Sequence, residues 1–207
     1  METGEKILLK AYDLFKRYGV RSVTMDEIAG QCGVSKKTVY QFFEDKDALV
    51  ESIMNTVIEK TQKQCNLQQE AAENAIHEIF LSMEMVQEMI EGVNPALMYD
   101  MRKYHSTAYS RLEEHKHQFM FSFIKKNMER GISEGLYRPE INIDIIAPFQ
   151  LHCMMVAIEE DIFPKSKFTV LDIDAEISMF LLHGLSTAKG LKLIEKYKQQ
   201  KLKRQTN

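Results

Sequence analysis

The chain has 207 residues, 44% hydrophobic and 28% charged, with 9 glycines and 4 prolines. This composition excludes a disordered tail and is sufficient to bury a core. The net charge of −3 excludes a protein that coats nucleic acid indiscriminately, so any binding to a polyanion has to come from a local patch. Charge is also uneven, with residues 1–50 neutral, 51–184 at −9 and 185–207 at +6.

Over residues 5–18, Ile7, Leu8, Ala11, Leu14, Phe15 and Tyr18 recur every three or four positions, which predicts an amphipathic helix closed by Gly19 as a left-handed cap. Thr24-Met25-Asp26-Glu27 reads as a capping box for a short second helix. That helix stops at Cys32, Gly33 supplies a bend with positive φ, and Ser35 caps a third helix through Gln41. Two short helices around a glycine turn form a helix-turn-helix, whose second member enters the DNA major groove. Asp45 caps a fourth helix running from Lys46 into the sixties.

Further helices are predicted over 71–91, 95–104, 107–132, 143–163 and from Asp172 to the basic C-terminal end, about nine in all, with no convincing strand. The fold class is therefore all-α. An N-terminal three-helix DNA-binding domain over 1–50 precedes a helical domain over 51–207.

Within the third helix, Lys36, Lys37, Tyr40 and Gln41 share one face while Val39 points the other way, toward Ile28 and Leu14. Lys36, Lys37 and Thr38 are placed to read base edges. Thr24, Ser35, Tyr40, Gln41 and Lys46 complete the expected DNA-contacting set, with Tyr40, Thr24 and Lys46 on phosphates.

The stretch from Lys6 to Ile53 resembles the N-terminal domain of TetR-family repressors. The resemblance is carried by Tyr18-Gly19, Thr24 to Ala29, Gly33 to Tyr40, and Phe43 to Leu49. One departure is Tyr40-Gln41-Phe42-Phe43, where the family often has Tyr-Tyr-His-Phe. The resemblance implies a homodimer on double-stranded operator DNA, released by a small-molecule effector bound in the C-terminal domain. Its rival is a constitutive DNA-binding dimer or activator without an effector.

For the effector, methionine adapts to varied apolar shapes. Met83, Met89, Met98 and Met155, with Tyr99, Arg102, Tyr104 and His105 as polar contacts, are the expected ligand-binding residues for a largely apolar molecule. The helices over 143–163 and 172–197 are apolar on more than one face, so a second copy is the expected cover. The interface residues are Phe149, Met154, Ile158, Ile177, Phe180, Leu181 and Leu185.

No enzyme is expected, because G-x-S-x-G, paired His-Glu and dinucleotide motifs are all missing. No cofactor or metal is expected either, since His115 and His117 diverge on a helix and His152-Cys153 stands alone. Three cysteines without paired spacing, no signal-peptide pattern and no apolar run near the ~18 residues of a membrane span imply a cytoplasmic location without membrane insertion. The basic end over 189–204 reads as a solvated helix terminus with no specific role.

Overall fold

A computed structural model describes residues 2–94, 96–156, 162–163 and 167–205. Among them are eleven α-helices: α1 Thr3–Tyr18, α2 Met25–Cys32, α3 Lys36–Phe42, α4 Lys46–Ala71, α5 Ala75–Ile90, α6 Ala96–Tyr104, α7 Ser106–His115, α8 Phe121–Ser133, α9 Ile143–Val156, α10 Val170–Leu185 and α11 Ala188–Gln205. The only strand-like feature among the described residues is one antiparallel bridge between Tyr137 and Ser186.

Two breaks raise the helix number above the nine expected. A π-helical segment, Lys116–Met120, interrupts the expected long helix between α7 and α8. The expected single C-terminal helix divides at Ser186, which is extended (φ −81°, ψ 145°). Here the chain borrows strand geometry: Arg138 N–H donates to the Leu185 carbonyl at 2.9 Å, and Thr187 N–H to the Leu136 carbonyl at 2.9 Å. The Thr187 hydroxyl then accepts from Gly190 N–H at 3.2 Å, which starts α11. Gly190 permits this packing, since a Cβ there would lie 2.3 Å from the Leu136 carbonyl oxygen.

The residues divide into two compact units, one within 1–63 and 91–115, the other within 64–90 and 116–207. The expected boundary near residue 50 falls inside α4. In the first unit, Ile7, Ala11, Leu14 and Phe15 of α1 pack with Ile28 of α2, Val39 of α3 and Leu49 of α4. Met101 of α6 and Ala108 of α7 join the same core, so a segment distant in sequence completes the N-terminal unit.

The second unit is built around Ile76, Phe80, Met128, Leu136, Tyr137, Leu182 and Ile194. Its fully buried carboxylate, Glu78, is answered by Arg130 at 3.2 Å. Burial still pushes the Glu78 carboxyl above its ordinary range. Leu185, expected at a dimer surface, is buried in this core instead. The helical period places it on the same side of α10 as buried Leu182, away from exposed Phe180.

Candidate DNA interface

The local chemistry of residues 19–45 is the source of the interface geometry. Gly19 has positive φ (80°), but its ψ of 157° sends the chain out extended rather than through the expected left-handed helical cap. Thr24 forms the expected capping box: its hydroxyl accepts from Glu27 N–H at 3.2 Å, and the Glu27 carboxylate accepts from Thr24 N–H at 2.7 Å. The Thr24 N–H, and the Thr24 hydroxyl 3.0 Å from the same carboxylate oxygen, both donate to Glu27 and hold its carboxyl below its ordinary value. Gly33 ends α2 in the left-handed region (φ 68°, ψ 34°), letting Val34 N–H reach back to the Ala29 carbonyl at 3.1 Å. Two residues later the Ser35 hydroxyl accepts from Thr38 N–H at 3.1 Å and opens α3.

With Val39 fully buried, α3 is fixed in rotation, a burial that contributes roughly 1.5–3 kcal/mol. The opposite face therefore points outward. Lys36, Lys37, Tyr40 and Gln41 are all exposed, and Thr38 is partly so. Among the described residues, Lys37, Tyr40 and Gln41 have no side-chain hydrogen bond or ion pair, which leaves their polar groups available to a partner.

The other expected contacts are already engaged. Lys36 pairs with Asp26 at 2.7 Å, which raises the lysine pKa. Such an exposed pair is weak against solvent, so a phosphate or guanine can displace it. Thr24 and Ser35 serve the caps, and the Thr38 hydroxyl lies 2.8 Å from the Ser35 hydroxyl. Lys46 donates to the Val23 carbonyl at 2.5 Å and stands over the Phe15 ring, and burial lowers its pKa. It ties the α1–α2 loop to the start of α4, whose own first turn is capped by Asp45 accepting from Ala48 N–H at 2.7 Å.

A tether that sequence reasoning missed holds the same loop from the other side. Asn94 N–H donates to the Lys16 carbonyl at 2.6 Å, and Asp100, buried on α6, accepts from Arg21 N–H at 3.0 Å. The Arg21 guanidinium donates to the Tyr104 hydroxyl at 3.3 Å. These bonds span more than 75 residues of chain, and no local sequence signal announces them.

Residues 7–53 match the family model described as "Bacterial regulatory proteins, tetR family". Over those residues the chain is similar to the TetR family. It is 28% identical over 110 residues to the uncharacterized HTH-type transcriptional regulator YvaF of Bacillus subtilis, covering 53% of this chain and 57% of that protein. It is 24% identical over 137 residues to the uncharacterized regulator YhgD of the same organism, covering 64% of this chain and 71% of that one. The chain thus spans little more than half the length of YvaF.

In fold it is similar to a TetR family regulator from Agrobacterium tumefaciens (TM-score 0.70, 14% identity, 89% of this chain and 98% of that one). It is also similar to a putative transcriptional regulator from Saccharomonospora viridis solved in complex with choline (TM-score 0.72, 13% identity, 89% and 97%). These two likenesses establish the TetR-type helical fold.

The expected ligand-binding residues do not gather in one unit. Met98, Tyr99, Arg102, Tyr104 and His105 belong to the first, where Tyr104 meets Arg21, Lys103 donates to Tyr99, and His105 pairs with Asp47. Met83 and Met89 belong to the second, with Met83 lining a groove between α5, α9 and α10 and Met89 exposed. Of Met155 only the backbone is described.

Of the expected interface residues, Phe149 and Phe180 are exposed, whereas Met154, Ile177 and Leu181 line that same groove. Ile158 lies outside the described residues. No three His, Cys, Asp or Glu side chains converge as a metal site among the described residues, and no helix there is long and apolar enough to cross a membrane.

Proposed function

We propose that this protein is a TetR-family regulator, a cytoplasmic repressor that binds operator DNA as a homodimer and is released by a small, largely apolar effector. The observation that carries the DNA-binding reading is the outward face of α3, with Lys37, Tyr40 and Gln41 exposed above the buried Val39 pivot. Base edges are read by Lys37 and by Lys36 once it leaves Asp26, while the Thr38 methyl suits a thymine methyl.

One such helix reads too few base pairs for genomic specificity, so two are needed about 34–36 Å apart. The exposed Phe149 on α9 and Phe180 on α10 support a second copy as their cover. The groove of the second unit, and the ligand held by the Saccharomonospora regulator of the same fold, support an effector. An effector releases DNA to the extent that it binds the DNA-free state more tightly.

The test is a randomised-site selection with the full chain, followed by in vitro transcription from a promoter carrying the selected site. A two-fold symmetric site and reduced transcription are expected. Selection of no site removes the DNA-binding reading, and increased transcription replaces repressor with activator. A compound library that releases no DNA supports the constitutive alternative.

A further inference from the structure

Within the second unit, α5, α9 and α10 enclose a groove of about 50 Å³. That is room for a few water-sized groups, far below the ~300 Å³ of a pocket that encloses a drug-sized molecule. It suits a head group whose substituents extend along the open side. The walls are mainly apolar, including Met83 and Val86 from α5, Met154 from α9, and Ile177 and Leu181 from α10. Among the described residues of the lining, Asp174 is the one that carries a charge, with Ser82, Gln150 and Ser178 as neutral polar neighbours.

Asp174 differs from the other inward carboxylates of this fold. Glu78 is answered by Arg130, and Asp100 in the first unit by the Arg21 backbone N–H. Asp174 has neither a hydrogen bond nor an ion pair among the described residues, and burial raises its pKa. A partly desolvated carboxylate without a partner costs stability that a bound cation returns.

The surrounding helices strengthen that bias. Together α5, α9 and α10 carry seven carboxylates and no lysine or arginine. Arg130, Lys125 and Arg204 from α8 and α11 pair with Glu78, Asp144 and Glu84, which leaves Glu88, Asp172, Asp174 and Glu176 without an ion pair among the described residues. The local field therefore favours a positive ligand and disfavours an anionic one.

We propose that this groove receives a monovalent organic cation, an ammonium with apolar substituents, whose charge sits against the Asp174 carboxylate. Met83, Met154 and Leu181 contact the substituents. The neutral side chains of Gln150 and Ser178 accept from an N–H where the ammonium has one. This proposal rests on the reading of the second unit as effector-binding, and it narrows the effector from a largely apolar molecule to a cationic one.

Calorimetry with the full-length protein tests it, using hexylammonium, hexyltrimethylammonium and neutral hexanol as probes. Both cations are expected to bind at least tenfold more tightly than hexanol. A preference for hexylammonium identifies N–H donation, and a preference for hexyltrimethylammonium identifies charge and apolar contact; either supports the cationic site.

Asp174→Asn is expected to erase the advantage over hexanol without lowering the melting temperature, because it removes a carboxylate that no cation among the described residues answers. Leu181→Trp, which fills the groove, is expected to block all three probes. Equal binding of cations and hexanol, or full cation affinity in Asp174→Asn, overturns the proposal.

Operator binding separates this inference from the broader one. Cations that bind through Asp174 without weakening operator affinity leave the site standing and remove its effector role. Release by neutral apolar compounds alone keeps the effector reading and overturns the cation.

Discussion

The Asp100 carboxylate accepts a hydrogen bond from the Arg21 backbone N–H at 3.0 Å, joining α6 to the loop that precedes α2. Asp100 is buried and lies 3.1 Å from where a Cβ would stand on Gly19, so the extended turn at Gly19 and the position of α6 fit one another. Lys46 holds the same loop through Val23. The entrance to the helix-turn-helix is thus fixed from α6 and from α4 at once.

Asp100→Ala leaves a backbone donor without its partner, and the expected cost is about 1–3 kcal/mol. Operator affinity should fall with it, while Asp100→Asn, which keeps an acceptor, should recover most of both. Thermal unfolding and fluorescence anisotropy on labelled operator measure the pair. Wild-type stability and affinity in Asp100→Ala would show that the tether does not position the loop.

Gly33 meets no atom within 4 Å of an added Cβ, so any substitution penalty there comes from its left-handed backbone alone. Gly33→Val should destabilise by more than about 1 kcal/mol and abolish specific DNA binding, and Gly33→Asn should do so far less. Equal effects of Val and Asn would contradict the backbone explanation.

Lys37 and Lys46 should separate in binding experiments. Lys37→Ala is expected to change base preference at one or two operator positions, at about 1–3 kcal/mol for the cognate base. Lys46→Ala should weaken all sequences alike. Its salt dependence decides the cause: a slope shallower by about one unit marks a phosphate contact. An unchanged slope with lowered stability leaves Lys46 with only its bond to Val23.

Glu27 links the capping box to pH. Its two bonds to Thr24 hold the folded-state carboxyl below its ordinary 4.5. Its contribution is therefore present above pH 4.5 and is lost as pH falls through the depressed folded value. Carbon-13 NMR of the Glu27 carboxyl should show a midpoint below 4.5 that returns toward it in Thr24→Ala. A midpoint unmoved by that substitution would remove the Thr24 hydroxyl as a cause and leave the Thr24 backbone N–H.

The first four helices were legible because each boundary carries its own local chemistry: Thr24 and Glu27, Gly33, Ser35, Asp45. What escaped depends on partners far along the chain. The break at Ser186 is made by hydrogen bonds to Leu136 and Arg138, about 50 residues away, and the apolar period runs through it from Leu182 and Leu185 to Ile194. The π-helical segment Lys116–Met120 likewise sits within an uninterrupted helical pattern. In the DNA interface, residue type and face were readable for Lys37, Tyr40 and Gln41. The prior engagement of Lys36 by Asp26 and Lys46 by Val23 was not, because it depends on how α2 and the α1–α2 loop return to them.

The proposed dimer rests on a division of faces along α9 and α10. Leu182 and Leu185 are spent on the core of their own unit, and Met154, Ile177 and Leu181 on the groove. Phe149 and Phe180 remain, 52% and 76% exposed. An aromatic ring left in water forgoes the roughly 1.5–3 kcal/mol that burial supplies, and a two-fold interface uses each such ring twice. Because these side chains contribute little to packing within the protomer, Phe149→Glu with Phe180→Glu should leave helicity and the folding of the single chain intact. The two glutamates instead place like charges where the copies meet, which costs association. Light scattering should give the mass of one chain, and operator affinity should fall at least tenfold, because two recognition helices are no longer held at one spacing. A folded double variant that keeps a dimer's mass and full operator affinity places the interface elsewhere on the molecule.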